Sequence, residues 1–249
     1  MPWTGAAPIN SYLKRTGLAK QSWQLRWKPV CGSTEIELAR WLKSSPLHND
    51  NARAFFAAKQ SFGKGQRGRD WYSPKGGVWM SVAMNCDTER FSVGLFGLAV
   101  AVALANRLEK DSIPVQIKWP NDLLVKGRKL AGLLPRVVYR GSKPILIRLG
   151  VGLNVYNRVP EEGISLSMIT GQSNISIFHW SYEILLAIEK AKLLLESPIS
   201  ICNEGERLLW AKKVKKSNSN EFWDIEGLDI HGQLKVKRDL IKQKWNRWE

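Results

Sequence analysis

The sequence is poor in the side chains that build soft metal centres. Its 249 residues include 3 cysteines, Cys31, Cys86 and Cys202, and 3 histidines, His48, His179 and His231. An odd number of widely spaced cysteines without a C-x-x-C pair argues against a disulfide framework and a thiolate zinc site, so no structural metal is assigned. Long apolar runs are missing too: the longest uncharged stretch, Phe91 to Asn106, falls short of the ~20 residues a spanning helix needs and is thinned by Gly94 and Gly97. No apolar leader segment opens the chain, so neither export nor a membrane partner is expected and the location implied is cytoplasmic. Acidic residues are scarce, 22 against 38 Lys and Arg, and the net charge of +16 attracts polyanions without choosing among nucleic acid, nucleotide or an acidic protein. With 44% hydrophobic and 24% charged residues the chain is globular rather than disordered.

From about Trp23 strand and helix signals alternate, with Gly, Pro and Asn clusters between them, which predicts a mixed α/β domain. WQLRWKPV reads as a strand, and TEIELARWLKS as a helix in which Thr34 and Glu37 have capping-box spacing. RAFFAAKQ and VWMSVAM read as buried strands separated by a glycine-rich loop, and VGLFGLAVAVALANRLEK as a central helix. The runs VQIKW, DLLV, KLAGLLPRVVY and PILIRLGVGLNV, split by tight turns, predict an antiparallel meander, and FHWSYEILLAIEKAKLLLES a long amphipathic helix. The divisions drawn are an N-terminal extension at 1–22, a catalytic domain at 23–204 and a small β-rich module at 205–249.

Four segments carry site chemistry. Gly63 to Trp71, GKGQRGRDW, gathers three glycines and three cations between two strands, a composition able to wrap an anion; the alternative is an exposed basic hairpin. It matches G-x-G-x-x-G literally, but Pro74, Gly76 and Gly77 break the helix which that motif must open, and no G-K-[ST] closes a Walker loop. Lys118 to Asp122, KWPND, offers an amide and a carboxylate suited to ribose or Mg²⁺, or simply caps a turn. Lys129 begins a strand, where its ammonium can be held over a cleft or stay solvated. Gly150 to Asn154, GVGLN, marks close approach of a ligand or a bulge, and Gly32-Ser33-Thr34 before a helix caps it or binds ligand.

Taken in order, GST before a helix, Q-x-x-G-K-G-Q-R-G-R-x-W, KWPND-x(6)-K-L-A-G and GVGLN resemble the biotin protein ligase family across roughly residues 25 to 200. The resemblance implies an α+β fold, a mixed, largely antiparallel sheet flanked by helices, like the core of class II synthetases, followed by a small β-rich module that is a whole or truncated SH3-like barrel. It implies biotin-binding by Ser33, Thr34, Gln60, Gly63, Lys64, Gly65 and Lys129, and ATP-binding by Arg67, Arg69, Trp71, Asn121, Asp122 and Asn154. Lys129, Arg69, Arg67 and Lys118 are the implied catalytic cations, and Asp122 the implied Mg²⁺ ligand. The activity implied is two-step: biotin and ATP give biotinyl-5′-AMP, and biotin then passes to one lysine of the biotin carboxyl carrier protein of acetyl-CoA carboxylase. Lys64 and Gln66 stand where the family often has arginine, which implies either looser retention of the adenylate or Arg67 doing that work alone. About 25 residues precede the first catalytic strand, too few for a helix-turn-helix, so no specific DNA contact is expected. A monomer or weak homodimer is the expected state. The rival readings are a lipoate ligase of the same superfamily and a basic nucleic-acid-binding module.

Overall fold

A computed structural model describes residues 6–16, 22–47, 51–86, 93–216 and 220–246. The end of the basic tail, residues 247–249, and the SNS segment at 217–219 lie outside the described residues.

The chain begins with helix α1 (Ala7–Thr16), which buries Ile9 and Leu13. Strand β1 (Trp23–Lys28) runs parallel to β2 (Ala52–Ala57), and helix α2 (Thr34–Ser44) makes the crossover. Strand β3 (Gly77–Asn85) turns back along β2, and helix α3 (Val93–Lys110) leaves the sheet. The meander follows as β4 (Gln116–Lys118), β5 (Asp122–Val125), β6 (Arg128–Arg140) and β7 (Lys143–Asn154). Because β7 pairs with β3, the seven strands lie in the order β1-β2-β3-β7-β6-β5-β4, antiparallel except for the first pair. The β5–β6 hairpin is closed by Lys126 and Gly127, both at positive φ, the twist-compatible geometry of a two-residue turn.

Helices α4 (Leu166–Thr170), α5 (Ile177–Leu194) and α6 (Pro198–Arg207) follow. Apolar residues recur around most of α3 and α5, and both helices are correspondingly buried against the sheet and each other. Gly97 lets α3 approach β6 closely: a β-carbon there would stand 2.9 Å from the ring of Pro135. The opposite face takes α2, whose Leu38 and Trp41 pack on Phe55 and Ala83. A second sheet of four antiparallel strands, β8 (Lys213–Lys215), β9 (Phe222–Leu228), β10 (Leu234–Arg238) and β11 (Ile241–Trp245), follows α6. It is tied to the first by Trp119, whose indole N–H donates to the carbonyl of Gly232 at 2.9 Å. Among the described residues no helix is long and apolar enough to cross a membrane.

The capping box expected at α2 is absent. Ser33 is the N-cap but makes no side-chain cap bond, and Glu37 instead pairs with Lys28 at 2.7 Å and Arg40 at 2.9 Å. The hydroxyl of Thr34 points away from the helix end toward the sheet, where buried polar partners wait for it.

Candidate active site

The concave face of the sheet, between α2 and the loop after β2, holds a cavity of about 390 Å³. Ser33, Thr34, Gln60, Lys64, Gly65, Arg69, Trp71, Lys118, Asn121, Asp122, Lys129 and Asn154 all line it. Residues more than a hundred apart in sequence, such as Ser33 and Asn154, therefore meet because β7 returns to the middle of the sheet.

One end is a closed hydrogen-bond network. Cys31 bridges Gln60 in strand fashion, which brings the start of α2 beside the end of β2. Gln60 Oε1 accepts from the Thr34 N–H at 2.8 Å and from the Thr34 hydroxyl at 3.1 Å, while Gln60 Nε2 donates to Ser73 Oγ at 2.9 Å. Thr34 Oγ1 also lies 2.8 Å from Ser81 Oγ on β3, in surroundings closed to solvent. Side chains fixed this way present polar atoms at a set place without having to reorganise. Gly63 is required here by space: a β-carbon would sit 2.6 Å from the Trp71 carbonyl and 2.7 Å from Ser73 Oγ.

The basic loop is a tight hairpin. Trp71 N–H donates to the Gly63 carbonyl at 2.9 Å, Lys64 forms an ion pair with Asp70, and Gly65 N–H donates to the Arg69 carbonyl at 2.8 Å. Arg67 and Gly68 form the tip with φ of 56° and 72°. Arg69 lines the cavity, whereas Gly63 and Arg67 do not. Trp71 lies across the sheet. A β-carbon at Gly152 would meet its indole at 2.5 Å and one at Gly132 would meet it at 3.0 Å, so the glycines of GVGLN and KLAG are what let this ring lie flat. The strand runs through 150–154 without a bulge. The indole Nε1 is buried and makes no hydrogen bond, leaving a donor for a ligand oxygen.

At the other end the β5–β6 hairpin sets Lys129 opposite Asp122, with Nζ to Oδ2 at 2.7 Å, and the same ammonium stands 4.7 Å from the centre of the Trp71 ring. Asp122 Oδ1 is buried without a hydrogen-bond partner. The Lys129 main chain is clamped by the 160–164 segment: its N–H donates to the Glu162 carbonyl at 2.8 Å and its carbonyl accepts from Ile164 at 3.0 Å. Asn154 Nδ2 donates to the Lys129 carbonyl at 3.2 Å and Asn157 Nδ2 donates to Asn154 Oδ1 at 3.0 Å. Asn121 Nδ2 donates to the Leu133 carbonyl at 2.7 Å. Both cavity-lining asparagines thus spend amide donors on the strands. Lys118 points its ammonium toward Trp210, 5.8 Å from the ring.

Ser73, Ser81, Asn157 and Glu162 were not singled out from the sequence. Ser81 left a trace, a lone hydroxyl in the apolar strand VWMSVAM; the other three depend on contacts from distant segments. Among the described residues no group of three or more His, Cys, Asp or Glu side chains could hold a metal. A cation such as Mg²⁺ fits only in its usual nucleotide-bound form, one carboxylate plus substrate phosphates, with the unpartnered oxygen of Asp122 as that carboxylate.

A profile of the Biotin/lipoate A/B protein ligase family matches residues 33–154. The chain is 33% identical over 206 residues to the bifunctional ligase/repressor BirA of Escherichia coli, covering 77% of this chain and 64% of that one. It is 34% identical over 138 residues to BirA of Bacillus subtilis, 51% of this chain and 42% of the relative. The matched region thus spans between two fifths and two thirds of these curated relatives' length. A biotin protein ligase from Aquifex aeolicus, solved in complex with biotin and ATP, superposes with a TM-score of 0.74 at 23% identity, covering 93% of this chain and 97% of that one. The large, mostly antiparallel sheet flanked by helices is the fold of those structures. With the site segments and the fold agreeing, the chain belongs to the biotin protein ligase family.

Proposed function

We propose that this chain activates biotin with ATP as biotinyl-5′-AMP and transfers the biotin to a lysine of the biotin carboxyl carrier protein of acetyl-CoA carboxylase. The observation that carries the reading is the polarity of this cavity: a half-buried hydroxyl and amide network at one end, and at the other a lysine ammonium set 2.7 Å from a carboxylate beneath a tryptophan. A cyclic urea carries two N–H donors and a carbonyl acceptor, and burying it without partners would cost about 1 to 3 kcal/mol per group. Ser33, Thr34 and Gln60 supply such partners. The valerate chain then runs under Trp71, and its carboxylate arrives at Lys129.

In the first step a carboxylate oxygen of biotin attacks the α-phosphorus of ATP, and the bond to pyrophosphate breaks. Two anions must meet, so the barrier is largely electrostatic, and Lys129, Lys118 and Arg69 supply the offsetting charge. Arg67, from the hairpin tip, joins them as the loop meets the triphosphate. Asn121, Asp122 and Asn154 face ribose and phosphates, and Asp122 would hold Mg²⁺, which supplies further charge neutralisation when bound. In the second step the uncharged amine of the carrier lysine attacks the acyl carbon of the anhydride, AMP leaves, and the amine proton is lost. No protein nucleophile is needed, so catalysis rests on positioning and field. Residues 23–204 perform this chemistry in our reading, with 205–249 as an appended module and 1–22 as an extension, in a cytoplasmic monomer or weak homodimer.

The test is to incubate the protein with labelled biotin, ATP, Mg²⁺ and a carrier domain of acetyl-CoA carboxylase. Label on a single carrier lysine, dependent on ATP, is the expected outcome. Label that appears with lipoate but not biotin supports the lipoate alternative, and no label with either refutes the proposal.

A further inference from the structure

At the end farthest from Lys129 the cavity stops at an ion pair for which the mechanism has no use. Arg148 Nη2 donates to Glu35 Oε2 at 2.7 Å and to the Glu35 main-chain carbonyl at 3.0 Å. Both side chains are largely buried, with 16% and 20% of Glu35 and Arg148 exposed. Strand register places the pair. Gly150 on β7 lies between Ser81 on β3 and Leu134 on β6, and Arg148, two residues back, projects from the same face of the sheet. A β-carbon at Gly150 would sit 3.4 Å from Leu134 Cβ and 3.9 Å from Glu35 Cγ. The methylenes of Glu35 therefore cover the floor that Gly150 leaves bare, and Arg148 fills the continuation of the groove.

Glu35 lines the cavity, and its Oε1 is buried without a hydrogen-bond partner. A buried acceptor left unmade is costly, and a ligand that brings a donor relieves the cost. We propose that Glu35, held in place by Arg148, is a specificity-determining residue. The pair closes the slot at the length of a compact ring head, and Glu35 Oε1 accepts a hydrogen bond from a ring N–H of that head. This rests on the reading above, in which the urea of biotin lies at the Ser33 and Gln60 end. Gln60 Oε1 already accepts twice from Thr34 and is not open to a urea N–H, whereas Glu35 Oε1 is a nearby acceptor without a partner. A dithiolane head has no N–H and leaves that oxygen unpaired, so the same group selects against lipoate.

The experiment follows pyrophosphate release by the full chain with ATP and one of three probes: biotin, biotin methylated on its urea nitrogens, or lipoate. Glu35→Ala is expected to raise the KM for biotin about tenfold, the loss expected for a hydrogen bond to a charged acceptor, with kcat within about twofold. The preference for biotin over the methylated probe shrinks by about the same factor. Arg148→Ala shifts both in the same direction, and Arg148→Lys, which keeps a cation for Glu35, restores them toward wild type. Thermal melts accompany each variant, and Glu35→Gln, equal in size, replaces any that is unfolded. If folded Glu35 variants keep the wild-type KM and preference, or lose kcat alone, the proposal is overturned and the biotin reading stands. If wild-type protein releases no pyrophosphate with biotin, both fall.

Discussion

The two walls of the cavity are built differently. The wall from the start of α2, the loop after β2 and β3 is a closed hydrogen-bond network of buried Ser and Thr side chains around the half-buried Gln60, fixed before any ligand arrives. The opposing hairpin at 63–71 is largely exposed, cationic and held by backbone pairing and surface contacts such as the Lys64–Asp70 ion pair. Surface pairs of this kind contribute only about 0 to 1 kcal/mol. Under the proposed function, the comparison teaches that recognition of the ring head is invested in rigid structure, while charge for the phosphates is mounted where it can be rearranged. Lys129 is the exception, a cation on the rigid side, clamped through its main chain.

That difference sets the order of mutational effects. Lys129→Ala removes the fixed cation and is expected to lower the rate of adenylate formation by about 100 to 1,000-fold, as when an oriented electrostatic donor is deleted, measured by single-turnover AMP formation. Gln60→Ala should raise the KM for biotin by about 10 to 100-fold and lower stability by about 1 to 3 kcal/mol, because Thr34 and Ser73 lose a shared partner. A urea melt alongside the kinetics separates the two effects, and an unchanged KM would break the contrast between the walls. Arg67→Ala, at the tip and outside the cavity lining, is expected to cost less than Arg69→Ala, and the ratio of their KM values for ATP sharpens how far the hairpin moves. The smallest effect concerns Cys31 beside Gln60. Burial, followed by repulsion from Glu37, pushes its thiol up to about 11. The reactive thiolate is thus a minute fraction at pH 8, and iodoacetamide labelling should be far slower than for an unfolded control, rising toward pH 11.

Much of this arrangement was legible in the chain. The helix over 93–110 and the four-strand meander follow from local periodicity and turn residues; the helix appears with the expected extent and the strands within a residue at either end. The four site segments, whose order in sequence carries the resemblance, meet in one cavity. What could not be read was pairing across distance. The parallel β1–β2 contact and the return of β7 to β3 depend on the whole sheet, and local pattern is silent on them. For the same reason Thr34 looked like a helix cap: its spacing to Glu37 is local, whereas Ser81 and Gln60, which claim its hydroxyl, arrive from other strands. Glu35 and Arg148 were invisible as a pair across 113 residues.

The most direct test of the central claim, that one rigid cation and one ring-reading network serve a single adenylation, is exchange of labelled pyrophosphate into ATP. Wild-type protein should exchange only when biotin is added, and Lys129→Ala should lose at least about 100-fold of that exchange while still binding biotin. Exchange without biotin, or undiminished exchange by Lys129→Ala, would contradict the account.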